Sequence, residues 1–321
     1  MFGKLKCLSM VLAFAAIGTV FTACDDDETA VDEWTSNYVY LQRFGLGVSN
    51  RVYNLSHSSL GVISSEEISV PLTVCLAQPY GRDVAVTLAA SIEGDLPADD
   101  VALDGNVVIP AGETSVATTL SVNSDWSFVS RDAESYTIRV SVASVSPASD
   151  DLRISTKQGE LTCTINKAEY CDILPNEVPD GSRITDYTGW SVRSCYDESL
   201  DGPWSNVQDA LIDGDTGGNS YVWYSTPLLS VRIDMGESRS ISGLEYYSFY
   251  DASTYSFTRC KLFTSDDGEL WTERTPKEGL EMGALRNTQY LKFISPIETR
   301  YVIWQMFGSA VLCSEIYVYR K

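Results

Sequence analysis

Leu229, Val231 and Ile233 alternate with Ser230, Arg232 and Asp234. Apolar residues at every second position predict a strand with one buried face. Gly236 is expected to end that run. Residues 241–247 form a second run, rich in β-branched and aromatic types, and Cys260, Leu262 and Thr264 alternate with Lys261, Phe263 and Ser265 in a third. Asp266, Asp267 and Gly268 then supply the residue types of a tight reversal. The same period runs through the first half, in residues 68–76, 84–88 and 136–142, with turn clusters at 78–81, 99–100, 110–113 and 157–160. Short strands at regular spacing predict an antiparallel sandwich. We expect seven or eight strands there, with Trp126 and Phe128 in a loop or at an edge. No stretch has a convincing helical period. The pattern predicts an all-β chain of two β-sandwich domains, residues 36–167 and 185–321. Residues 168–184, with Pro175, Pro179 and Gly181, read as the linker.

The start of the chain has a different pattern. Lys4 and Lys6 precede an apolar run over residues 8–21, shorter than the roughly 20 residues that span a bilayer. A basic start, a short apolar middle and small residues at the end read as a secretory signal over residues 1–23. Phe21-Thr22-Ala23-Cys24 resembles the lipobox of bacterial lipoproteins. That resemblance implies cleavage before Cys24 and acylation of Cys24; several acyl chains on one residue anchor stably. Residues 24–35 form an acidic tether opening with Asp25-Asp26-Asp27-Glu28. This run resembles the signal that sends Bacteroidetes lipoproteins to the outer face of the outer membrane.

Charge narrows the partners. With 44 Asp+Glu against 23 Lys+Arg the chain carries −21. Such a balance disfavours nucleic acid and anionic membranes, leaving the acyl anchor as the expected membrane contact. It suits a neutral or cationic ligand. The eight cysteines include no CxxC pair, and the single His57 cannot build a zinc site with them. Export would permit disulfides; Cys75 and Cys260 sit in strand runs, where a cysteine also serves as a small apolar residue.

The C-terminal half resembles the discoidin domain, also called the F5/8 type C domain, many of whose bacterial members are family 32 carbohydrate-binding modules. The matching pieces are Ile233-Asp234-Met235-Gly236, Ile241-Ser242-Gly243-Leu244 and Ser265-Asp266-Asp267-Gly268-Glu269-Leu270-Trp271. Ala210-Leu211-Ile212-Asp213-Gly214-Asp215 precedes a Trp of the family's kind, here Trp223, and Thr299-Arg300-Tyr301-Val302 and Ser314-Glu315-Ile316-Tyr317-Val318 match the last strands. The resemblance implies a jelly roll. It also implies a structural Ca²⁺ held by Asp213, the carbonyl of Leu211 and Glu315; Asp215 would add a second carboxylate, and Gly217-Gly218-Asn219 lengthens the loop. Val108-Ile109-Pro110-Ala111-Gly112-Glu113 resembles an immunoglobulin-like N-terminal module of Bacteroidetes surface lipoproteins, implying a spacer or docking role beside neighbouring outer-membrane uptake proteins.

Sugar recognition needs an aromatic face against the C–H side of the ring, with polar groups for the hydroxyls. Aromatics at expected loop tips are Tyr196, Trp204, Tyr224, Phe249, Tyr250, Tyr255 and Phe307. We expect Trp204, Tyr250 and Phe307 to stack, and Asp251, Asp201 or Gln305 to meet hydroxyls. The galactose-binding members' Pro-Arg and Asn are absent from residues 248–251, so their specificity does not carry over. Trp190 and Trp271 read as structural. No nucleophile–base set accompanies His57, which reads as an exposed strand residue, and the acidic pairs at 66–67, 99–100 and 266–267 lie at turns or strand starts. The expectation is a surface lipoprotein that captures a glycan without catalysis; an adhesin binding a protein partner is the alternative.

Overall fold

A computed structural model describes residues 36–45 and 47–321. The leader, Cys24 and the acidic tether lie outside the described residues.

Two sheets form the N-terminal sandwich. One has five strands in the order Leu152–Ile154, Asn37–Leu41, Ser69–Leu76, Ser115–Val122, Val101–Leu103. The other has six: Gly61–Ser64, Asn50–Ser58, Glu160–Lys167, Glu134–Ser146, Val84–Glu93, Asn106–Ile109. The inward residues of both sheets, among them Val39, Val74, Ile109, Ile138 and Ile165, make one core. The strand number exceeds the seven or eight expected because short edge strands and two parallel pairings, 37–39 with 152–154 and 50–55 with 162–167, join residues far apart in sequence. Trp126 lies in a loop, yet it is buried against Phe128 and Tyr136 as part of that core.

The C-terminal domain is built on a ten-stranded sheet whose central ladder pairs Leu228–Tyr247 with Thr288–Phe307. Gly236 does not end the first run, as expected, but bends it. Both arms pair with the same partner strand, and the register shifts between Asp234 and Arg239 and again between Ile241 and Gly243. Leu229, Val231 and Ile233 on one arm and Leu244 and Tyr246 on the other thus face a single core with Leu262, Trp304 and Val318. Tyr246, Phe257 and Trp304 meet edge to face at its centre, the geometry aromatic rings prefer. The six described cysteines are all free thiols, five of them buried.

Within the stretch expected as a linker, Ile173–Pro175 pairs with residues 291–293 of the C-terminal sheet. Asp172 just before it is buried, and its carboxylate accepts hydrogen bonds from Ser59 N–H (2.6 Å), the Tyr170 hydroxyl (2.6 Å) and Arg274 (3.1 Å). Arg131 lies 3.6 Å over the Tyr170 ring and donates to the carbonyl of Glu273. His57 is not the exposed strand residue expected. It is half-buried in this joint, edge-on to Tyr170 at 5.1 Å and 3.4 Å from the ammonium of buried Lys167. Burial and the charges of Lys167 and Arg131 push its pKa down.

Candidate functional site

Loops at one end of the jelly roll assemble an aromatic belt. Tyr221 contacts Phe249 (5.5 Å between centroids), Phe249 contacts Tyr250 (5.6 Å), Tyr250 contacts Tyr255 (4.9 Å), and Tyr255 contacts Trp223 (6.4 Å). Tyr221, Trp223 and Tyr250 are 45%, 48% and 47% exposed, so three rings of one connected group face solvent. The scaffold beneath is fixed by hydrogen bonds. Asn287 donates to the carbonyls of Ser248 and Tyr250, and Phe249 N–H donates to the Ser314 hydroxyl at 3.1 Å. Asp251 caps the short helix Ala252–Tyr255 by accepting from Ser253 N–H (2.9 Å) and its hydroxyl (2.8 Å). Those bonds hold the exposed Asp251 carboxyl below its ordinary pKa.

A cavity of about 560 Å³ opens beside that helix. Ser253 and Thr254 line it together with Glu198, Arg259, Glu281 and Phe307. One helical turn therefore contributes Tyr255 to the belt and Ser253 and Thr254 to the cavity lining. Phe307 is half-buried and carries the Arg259 guanidinium 4.6 Å from its centroid, so one face of the ring is already covered.

The floor of the cavity belongs to the outer face of the sheet. Leu228, Phe307 and Arg259 are register partners across three strands, and Ser230, Gln305 and Lys261 form the next row. Residues 196–204 strap that row: the carbonyl of Asp197 accepts from the Ser230 hydroxyl and that of Glu198 from the Gln305 amide, both at 2.8 Å. Gln305 is therefore buried and committed to the strap, which corrects the expectation that it meets sugar hydroxyls. Trp204 lies at the end of the strap, half-buried, with its indole nitrogen buried and unpartnered. Among the described residues it makes no ring contact with Tyr250 or Phe307. Tyr224 and exposed Tyr196 form a separate pair at 5.6 Å, with Tyr224 bonded to Ser194 at 3.1 Å, on the opposite side of the strand from Trp223. Asp201 is exposed on the strap.

Behind the belt lies the loop of residues 211–221. Glu315 is fully buried; one carboxylate oxygen accepts from Gly214 N–H at 2.5 Å and the other has no hydrogen-bond partner. Burial and the neighbouring carboxylates of Asp213 and Asp215 push its pKa up to about 8. Asp213 and Asp215 also turn the loop on itself, accepting from the N–H groups of Asp215 and Gly217 at 2.8 Å each. Leu211 is buried in the helix Gln208–Leu211 that opens the loop. Among the described residues no three His, Cys, Asp or Glu gather at metal-holding spacing. A cation here would draw on Asp213 and Glu315 together with uncharged oxygens. The loop bears on the belt directly, since a Cβ on Gly218 would stand 2.9 Å from the Phe249 ring.

Sequence reasoning missed two members of the belt. Trp223 stood out only as a family-type tryptophan, and Tyr221 did not stand out at all. The strand period held the signal: Val222 is buried, which turns Trp223 outward.

Residues 191–315 match the model of the F5/8 type C domain. The C-terminal domain is thus an F5/8 type C, discoidin-like, domain. Residues 1–75 match a domain of unknown function. No curated protein matches the chain. Among solved structures, a two-domain protein of unknown function from Bacteroides fragilis aligns over 92% of this chain and 100% of its own, at 15% identity and a TM-score of 0.41. A Clostridium perfringens module solved with GalNAc-β-1,3-galactose aligns over 43% of this chain and 99% of its own (17% identity, TM-score 0.34). The family 32 carbohydrate-binding module of C. perfringens NanJ, solved with galactose, aligns over 46% and 100% (16% identity, TM-score 0.33).

Proposed function

We propose that the C-terminal domain binds a glycan without catalysis, with the aromatic belt as its stacking platform. The observation that carries this reading is the connected group of Tyr221, Trp223 and Tyr250, half-exposed beside a cavity lined by hydroxyls and carboxylates. Flat apolar rings next to hydrogen-bonding groups are what a sugar ring requires. The F5/8 type C match supports the reading, because family 32 carbohydrate-binding modules are members of that family. Retention of the chain on polysaccharide affinity gels, lost when Trp223 and Tyr250 are replaced by alanine, is the expected result. Release of reducing sugar by the chain would overturn the noncatalytic part.

In this proposal a Ca²⁺ ion closes the 211–221 loop through Asp213 and Glu315, with the carbonyl of Leu211 and other uncharged oxygens as further donors; Asp215, whose carboxylate accepts from Gly217 N–H, stays outside that set. The unpartnered buried oxygen of Glu315 and the all-oxygen donor set support it. The ion would supply positive charge that fixes the loop behind Phe249. We further propose that the mature chain is acylated at Cys24 and faces outward from the outer membrane, serving a polysaccharide-uptake system. The lipobox-like Phe21-Thr22-Ala23-Cys24 and the acidic run after it support this placement; metabolic labelling with a radioactive fatty acid, abolished by Cys24→Ala, tests it.

A further inference from the structure

A second feature of the outer sheet face has no part in the belt. Arg193 and Arg232 are register partners on neighbouring strands. With Ser191, Asp234 and Tyr301 they line a cavity of about 210 Å³. Arg300, outside the lining, takes up the Asp234 carboxylate through two hydrogen bonds of 2.8 and 3.0 Å. Gly236 N–H donates to the same carboxylate at 2.9 Å. Two facing cations thus line a cavity whose one carboxylate is already committed to Arg300, in a chain of net charge −21. Like charges directly opposite on adjacent strands destabilise a sheet.

The two facing arginines are held differently. Arg232 is fixed, with its guanidinium 5.3 Å from the Trp271 ring and 5.5 Å from the Tyr301 ring, donating to the carbonyl of Gly268 at 3.4 Å. Gly268 packs so close that a Cβ there would stand 2.8 Å from an Arg232 nitrogen. Arg193 is exposed, and its guanidinium has no hydrogen bond or ion pair among the described residues. A guanidinium presents a planar fork of donors matched to an oxyanion. One preorganised fork and one free fork therefore face the same cavity.

We propose that this cavity holds an oxyanion substituent, a carboxylate or sulfate ester, carried on a saccharide. The oxyanion balances the Arg193–Arg232 repulsion and accepts from both forks. Ser191 offers a hydroxyl beside it, and the Tyr301 ring, stacked by Arg232 and Arg300, holds the wall of the cavity in place. Leu228 in the large cavity and Arg232 here lie four residues apart on one strand, about 13 Å, so one extended chain of sugars reaches both. The saccharide half of the proposal rests on the glycan reading above; the oxyanion half does not.

Calorimetric titration of the full chain at low ionic strength tests it, with glucuronate, glucose 6-sulfate, glucose and inorganic sulfate as probes. The expected result is saturable binding of an anionic sugar, about tenfold tighter than glucose or inorganic sulfate and about tenfold weaker in Arg193→Gln. Arg193→Gln removes no hydrogen bond or ion pair and relieves the facing charge, so its melting temperature should not fall; Arg232→Gln should lose binding as well. The site should survive Trp223→Ala, which separates its failure from failure of the belt. No saturable binding of either anionic sugar, or equal affinity in Arg193→Gln, overturns the proposal. Glucose binding as tightly overturns the oxyanion half, and inorganic sulfate binding as tightly overturns the saccharide half.

Discussion

Asp172 and Arg274 meet at 3.1 Å across the seam between the two domains, with the Asp172 side chain 1% exposed. The pair is locked from both sides. Ser59 of the first sandwich donates to the same carboxylate, and the backbone of Asp172 bonds to Arg274 and Ile294 of the second. Prolines and a glycine normally mark a flexible connection, and 168–184 has that composition. The buried ion pair and the strand at residues 173–175 make its first half a fixed joint instead.

Acid should loosen that joint. Burial alone would raise the pKa of Asp172, but hydrogen bonds from Tyr170, Ser59 and Arg274 outweigh it and hold the carboxyl below its ordinary 3.8. A depressed folded-state pKa means the stabilisation is complete above the unfolded value and is lost as pH falls through the folded one. Proteolysis between the domains should stay slow at pH 5 and rise only once the pH has fallen below the ordinary carboxyl value of 3.8. Asp172→Ala should cost about 3 kcal/mol at neutral pH, because it strands a largely buried Arg274; thermal melts measure that loss.

Glu315 separates a cation site from a plain buried acid. Calcium chloride should raise the melting temperature of the chain by several degrees over the chelator control, by linkage to the folded state. Glu315→Gln should abolish most of that response while leaving the chelated protein as stable as the parent or more so, since it removes a buried carboxylate with an unpartnered oxygen. An undiminished calcium response in Glu315→Gln would exclude this residue as a ligand.

Aromatic truncation should divide the rings into two groups. Trp223→Ala and Tyr250→Ala should each weaken glycan retention by about 1–3 kcal/mol, the range for exposed aromatic anchors. Trp204→Ala should change it little, because that ring packs at the end of the strap, away from the connected belt. Affinity electrophoresis against one retained polysaccharide compares all three.

Gly243 tests the bend of the central strand. A Cβ there would stand 2.2 Å from the carbonyl oxygen of Leu291 and 2.6 Å from the Pro179 ring, where nothing can yield without moving the ladder. Gly243→Ala should cost about 3 kcal/mol, at the upper end of overpacking penalties. A urea midpoint equal to the parent's would show that the strand shifts freely at this point.

Much of the architecture was legible because strand alternation is a local property. The inward sets at Leu229, Val231, Ile233 and at Cys260, Leu262, Thr264 follow from a period of two, and a buried face is what that period encodes. The acidic loop was legible in the same way, since Asp-Gly-Asp next to a turn is a local composition. The belt was legible only in part. Tyr250, Tyr255 and Phe249 stood out as loop aromatics, while Trp223 and Tyr221 join them through pairing of Val222–Tyr224 with Val311–Cys313, residues about ninety positions away.

By itself the sequence determined an all-β chain of two sandwiches, its acidic surface, and which residue types were available for stacking and for oxygen ligation. Periodicity, turn chemistry and charge need no knowledge of the partner strand. Tertiary structure alone decided that Gly236 bends a strand instead of ending it, that Gln305 is buried under the strap, and that Arg193 faces Arg232 across a cavity. Each of those depends on register between distant segments, where a shift of one residue moves every side chain to the opposite face.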